Sequence, residues 1–109
     1  KQTVIDTPEG GTQLTLKELT PVRLIKNAFY QEVEAAYQRC ASTEELQDLL
    51  GRGRAKKGMF EGDLINGELE VGQISGLIDE IKPAEEVVKE IIGEFRDALS
   101  EQQQIKFKF

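Results

Sequence analysis

The sequence predicts a mainly α-helical fold with a minor β component, an α+β arrangement, on three observations. Apolar side chains at Ala84, Val87, Val88, Ile91, Ile92, Phe95 and Leu99 recur at i, i+3, i+4 and i+7, the signature of an amphipathic helix. A second stripe of the same kind lies upstream at Val22, Ile25, Phe29, Val33, Ala36 and Cys40. In residues 12–19 the period changes to two, because Leu14 and Leu16 alternate with Gln13, Thr15 and Lys17, the spacing of a half-buried strand.

Taken in order, Pro8, Glu9, Gly10 and Gly11 form a turn ahead of that strand. The β-branched run Thr3, Val4 and Ile5 would by itself suit a strand partner. Thr20 followed by Pro21 is a helix-start signal, since threonine can accept from a free first-turn amide and proline tolerates the first helical position. A helix is therefore expected over residues 20–39. Ser42 stands three residues before Glu45, the reciprocal arrangement of a capping box. Leu46, Leu49 and Leu50 give the short helix that follows its buried side, and Gly51 ends it, as glycine does past a helix C-terminus. Seven glycines in residues 51–76 exclude a long regular element from most of that segment. Within it, a short helix entered through Gly72 is expected near residues 71–78, with Ile74, Leu77 and Ile78 on one face. Pro83 opens the last helix, in which Glu85 and Lys89 form an i, i+4 pair. Residues 101–109 alternate Ile105, Phe107 and Phe109 with lysines and suit an edge strand or a frayed end.

Composition narrows the classes of function. Twenty acidic residues against fourteen basic ones give a net charge of −6, which repels nucleic acid and anionic membranes. No apolar run reaches the length of a membrane span. With one cysteine and no histidine, an internal disulfide and the common zinc sets are ruled out. A reducing, cytoplasmic setting fits best. Acid/base work would fall to carboxylates, lysine or tyrosine. A chain that opens on Lys1 and has its one methionine at Met59 reads as a piece of a longer protein.

Among candidate sites, Arg52, Arg54, Lys56 and Lys57 form the one strongly basic cluster. Glycines would let backbone amides approach an anion there, so a phosphate or an acidic carrier protein is one reading and a solvated loop the other. Gly51 and Gly53 do not begin a dinucleotide fingerprint, because Lys56 stands where the third glycine would fall. Glu61, Asp63, Glu68 and Glu70 lack the register of an EF-hand. Gly72 and Gln73 open an apolar run, where a carboxamide can present both a donor and an acceptor to a ligand. Cys40, on the apolar stripe, reads as a buried inert thiol, and Tyr30 and Tyr37 as packing residues.

Two stretches carry a resemblance. GMFEGDLINGELEVGQISGLI at residues 58–78, followed by the Pro83 helix, resembles the C-terminal end of the FMN-dependent nitronate monooxygenase and enoyl-acyl carrier protein reductase II family. TPVRLIKN at residues 20–27 resembles the arginine and lysine-asparagine motif of the same family. The resemblance implies a small helical lid or substrate domain plus the terminal helix of a (β/α)8 TIM-barrel flavoenzyme. Residues 1–11 would be the tail of a preceding helix and a turn, replacing the strand reading of Thr3 to Ile5. Residues 12–78 would be the lid domain, and residues 79–109 the helix returning to the barrel, with its tail. It further implies a parent that uses FMN and NAD(P)H or a nitronate, with the catalytic histidine and the FMN phosphate loops outside this chain. Gly72 and Gln73 would lie near the flavin, and Glu70 and Gln73 near the substrate. The implied partners are the barrel of the same polypeptide, a second copy in a homo-oligomer, and acyl carrier protein. A self-standing helical interaction module is the alternative.

Overall fold

The computed structural model describes residues 1–103, and they divide into two compact units, one ending at Asp79 and one beginning at Glu80. The expectation for the tail falls outside the described residues from position 104 onward.

The first unit opens with a one-turn helix, α1 (Gln2–Ile5), so Thr3 to Ile5 are helical and not a strand. Two antiparallel strands follow, β1 (Thr12–Thr15) and β2 (Val22–Ile25), in a register that pairs Thr12 with Ile25 and Thr15 with Val22. The helix expected from residue 20 is therefore corrected: its first third is a strand. The residue before a proline is biased away from helical angles, so the Thr20–Pro21 step feeds an extended segment, and alternation then places Leu24 in the core. The helix, α2 (Ala28–Gln38), starts only after Asn27, whose side chain accepts from the Tyr30 amide. Residues 69–71 lie along the other edge of β2, through Ile25 N to Leu69 O and Val71 N to Arg23 O, both 3.0 Å.

Helix α2 buries Phe29, Tyr30, Val33 and Ala36 against Leu16, Leu24 and Leu46. It ends in a Schellman motif, with Ala41 N bonded to Ala36 O and Cys40 N to Tyr37 O. This overturns the expectation for Cys40, which is exposed. At φ +55° the chain has left the helix, so helical spacing no longer carries that side chain inward. Tyr37 is half-buried and donates to Glu18 Oε2 at 2.5 Å. Helix α3 (Thr43–Leu50) has both bonds of the Ser42 and Glu45 capping box, and Gly51 at φ +63° terminates it.

The glycine-rich segment contains one short helix, α4 (Arg54–Met59), and a 3₁₀ turn (Gln73–Leu77) entered through Gly72. The turn's apolar residues Ile74, Leu77 and Ile78 are all exposed. Between the two, the backbone crosses itself. A Cβ on Gly67 would stand 2.2 Å from Gly58 Cα, and a Cβ on Gly58 would stand 2.5 Å from the Glu68 carbonyl oxygen. Only glycine fits on either side of that crossing.

The second unit is α5 (Ala84–Gln103), which has no buried residue. Its stripe is present as expected, with Phe95 62% and Ile91 60% exposed. The Glu85–Lys89 pair closes at 2.6 Å, and Lys82 holds Glu80 and Glu90 ahead of and within the helix. Among the described residues no helix is long and apolar enough to cross a membrane.

Two glycines should respond in opposite directions. Gly67→Ala is expected to cost about 1–3 kcal/mol through overpacking, read as a lower urea midpoint. Gly93→Ala, whose new methyl meets nothing within 4 Å, should stabilise α5 by about 1 kcal/mol, read as greater helicity on heating.

Candidate functional site

The first unit carries a cleft of about 710 Å3 between three pieces of backbone: the Pro8, Glu9 and Gly10 turn, the β1–β2 hairpin, and the 3₁₀ turn. The first wall is set by Gly11 N donating to Pro8 O at 2.8 Å, with Gly10 in the left-handed region at φ +74°. The hairpin contributes Thr12 and Arg23. Because side chains alternate along a strand, Leu24 goes to the core while Arg23 turns to the opposite face. There its Nη1 donates to Thr12 Oγ1 at 3.1 Å. The third wall brings Gln73, Ile74, Gly76 and Leu77, and Ser75 Oγ is buried in that turn without a hydrogen-bond partner.

Of the residues singled out in the sequence, Gln73 lines this cleft. Gly72 is the extended residue that admits the chain to the turn, at φ −78° and ψ 160°. Glu70 is exposed on the edge bridged to Leu24, and it is not among the residues lining the cleft. Arg23, Thr12 and the Pro8 to Gly10 turn were missed as site residues. Placing Arg23 in a helix hid its direction, although the Thr-Pro step before it was a legible sign of extended backbone.

The basic quartet does not act as one patch. Arg54 turns inward, with Nε to Leu50 O at 3.0 Å, Nη2 to Leu49 O at 2.9 Å and Nη1 to Asn66 O at 2.9 Å. Its guanidinium also stacks 4.5 Å from the centroid of the buried Phe29 ring. Lys57 is held by Asp63 at 3.0 Å and Lys56 by Glu61 at 3.5 Å. Arg52 is exposed and takes part in no ion pair among the described residues. A small recess of about 160 Å3 beside it is lined by Gly51, Arg52, Gly53, Arg54 and Lys57.

Two carboxyl groups of the loop that leads to the cleft have shifted acidities, and one of them organises it. Asp63 Oδ1 accepts from the Asn66 amide at 2.8 Å and the Ile65 amide at 3.1 Å. The Asn66 amide first, then Lys57, hold its carboxyl down to about 2. Glu68 is 6% exposed, and burial, reinforced by Glu70, pushes its carboxyl upward against the pull of Arg54. Among the described residues no group of three or more acidic or cysteine side chains is placed to hold a metal ion.

No family model matches the sequence, and no curated protein sequence matches it. Solved structures do. The chain is similar to part of FabK. FabK of Thermotoga maritima, an enoyl-acyl carrier protein reductase II, aligns at 28% identity and a TM-score of 0.72, covering 94% of this chain and 32% of FabK. A methionine-to-alanine variant of the same FabK aligns at 27% identity and 0.70, covering 94% of this chain and 30% of the other. The chain thus spans about a third of the length of FabK. The likeness to FabK runs through nearly all of its elements, so it agrees with the resemblance read from residues 20–27 and 58–78.

The two carboxyls should leave opposite marks on stability. Asp63 has a depressed folded-state pKa, so its contribution is full above the unfolded value of 3.8 and is lost as pH falls toward about 2. Glu68 is raised above 4.5 when folded, so the unfolded state ionises first and stability drops as pH climbs past that value. Urea melts across pH should show Asp63→Asn flattening the acid limb, and Glu68→Gln raising stability at neutral pH. A Glu68→Gln variant less stable than the parent at pH 7 would contradict the buried-carboxyl account.

Proposed function

We propose that this chain is the C-terminal part of an FMN-dependent oxidoreductase that reduces enoyl thioesters carried on acyl carrier protein. On this reading residues 12–78 form the small domain on the substrate side of the flavin. Helix α5 packs on the outer ring of a (β/α)8 barrel supplied by the rest of the polypeptide. The observation that carries the reading is the match to FabK over 94% of the chain at a third of FabK's length. The uncovered stripe of α5 supports it, because an amphipathic helix draws most of its stability from packing its apolar face. That stripe alone would also suit a self-standing interaction helix, and the FabK likeness favours the barrel. It equally favours enoyl reduction over nitronate oxidation, the other activity of the family resembled.

The chain's own residues do not compose a flavin site. The cleft offers one guanidinium and one carboxamide, there is no histidine, and no strand leads into a glycine loop that opens a helix at residues 51–53. When bound, FMN would relay hydride from NAD(P)H, and the groups that hold it belong to the barrel. The task left to this chain is to shape the substrate side. The Gln73 carboxamide supplies a donor and an acceptor there, Gly72 admits the chain to that turn, Glu70 stays outside the cleft on the edge of β2, and Ile74 and Leu77 exclude water from an acyl chain. The 109 residues alone have no turnover on this account. Their partners are the barrel, acyl carrier protein and a second copy of the whole enzyme, in the cytoplasm.

Purified alone, the chain should show no stoichiometric flavin absorbance near about 450 nm. Joined to its barrel, it should support NAD(P)H oxidation that depends on an enoyl thioester. FMN bound one to one by these 109 residues would overturn the division of labour. The isolated chain should also self-associate through α5, and light scattering should find Phe95→Glu monomeric at concentrations where the parent is not.

A further inference from the structure

Arg23, half-buried, is the one arginine in the lining of the cleft, and the fold uses little of its donor capacity. A guanidinium has five N–H donors. In Arg54 they are spent on three backbone carbonyls and an aromatic face. In Arg23 one bond, to Thr12 Oγ1, is made, and the side chain forms no ion pair among the described residues. Acidic residues outnumber basic ones twenty to fourteen, so carboxylates are plentiful, yet among the described residues none is ion-paired with it. The Thr12 bond fixes the fork on the rigid hairpin, a preorganised arrangement that suits planar, bidentate recognition of an anion.

The remainder of the cleft limits what the anion can be attached to. Gln73 adds a carboxamide on the facing turn, while Ile74 and Leu77, 65% and 76% exposed, line the same space with apolar surface. Glu9 is the one carboxylate in the lining, and its backbone lies beside Gly76 of the 3₁₀ turn. A charged end beside an apolar wall, in a space of about 710 Å3, matches an anionic group on an organic stem and falls within the usual range of ligand cavities. A bare inorganic ion would leave the apolar wall unused.

We propose that this cleft binds a phosphate ester, with Arg23 holding the phosphate and Gln73 contacting the stem. The anion is inferred from the half-used Arg23 guanidinium in the cleft. That it is a phosphate rests on the function proposed above, in which both the nucleotide and the carrier-borne substrate bring phosphates on organic stems. Arg23 is then a residue that selects substrate or coenzyme, not one that takes part in the chemical step.

The test is a titration of the 15N-labelled chain with phosphopantetheine, adenosine 2′-phosphate, inorganic phosphate and, as the uncharged control, pantetheine. The expected result is saturable shifts of the Arg23 Nε–H and Gln73 side-chain signals with at least one ester. Arg23→Gln should weaken that binding by about tenfold or more. Tighter phosphopantetheine binding assigns the site to the carrier-borne substrate, and tighter adenosine 2′-phosphate binding assigns it to the nucleotide. Equal shifts from pantetheine, no shift from any phosphate, or inorganic phosphate binding as tightly as both esters would overturn the proposal. Should Arg23→Gln disturb the hairpin, seen as lost amide dispersion, Gln73→Leu on the exposed turn gives the second reading. It should weaken ester binding a few-fold, and unchanged affinity counts against the site. The measurement uses neither flavin nor turnover, so its failure leaves the enoyl-reductase reading standing. A parent enzyme inactive on enoyl thioesters would in turn leave the anion site intact.

Discussion

The side chain of Asn27 sits where strand becomes helix and where the glycine-rich loop returns to the hairpin, and its three hydrogen bonds join those places. Its Oδ1 accepts from the Tyr30 amide, which starts α2. Its Nδ2 donates to the carbonyls of Leu64 at 3.1 Å and Gly67 at 2.8 Å. One carboxamide thereby ends β2, begins the main helix and ties down a loop almost forty residues away. With the loop held at Gly67, residues 69–71 can pair with β2, and the chain emerges from that pairing at Gln73, inside the cleft. Loss of this side chain removes a helix cap worth about 1 kcal/mol and also frees the segment that delivers the site.

Around that anchor the loop is closed by two devices that differ in kind. The Gly58 and Gly67 crossing works by the absence of side chains, letting backbone approach backbone more closely than any Cβ would permit. Arg54 works by excess of donors, satisfying carbonyls of α3 and of the loop together while its flat face covers Phe29. A buried carbonyl without a partner costs about 1–3 kcal/mol, so an arginine that satisfies the part-buried carbonyls of Leu49 and Leu50 and the exposed one of Asn66 is a structural group despite its charge. The strongly basic look of residues 52–57 is in this respect misleading. Half of that charge is neutralised locally by Glu61 and Asp63, and a further cation faces inward.

The two units solve the burial of apolar surface differently. The first encloses Phe29, Leu16, Leu24, Leu46 and Val33 almost completely, so its shape is set by contacts within the chain. The second presents Val88, Ile91, Ile92, Phe95 and Leu99 uncovered. Among the described residues of its own unit that stripe has no partner, and the chain spans about a third of the length of FabK. The cleft belongs wholly to the first unit.

What could be read from the sequence was local. The helical stripe of α5, the capping box of α3, the stop at Gly51 and the entry at Gly72 all depend on residues within one or two turns of each other, and each was found where expected. The motif spanning Lys26 and Asn27 was legible as a resemblance before it had a physical meaning. Tertiary structure decided the rest, because the deciding partners are distant. Residues 22–25 became a strand when β1 on one side and residues 69–71 on the other took up their hydrogen bonds, and no helical period within residues 22–40 could reveal that. Cys40 left the buried stripe because the helix ends at Gln38, two residues before it. Arg54 became structural and Arg23 free because of which carbonyls and carboxylates the fold brought to each, a matter of spatial neighbours that charge and spacing along the chain do not encode.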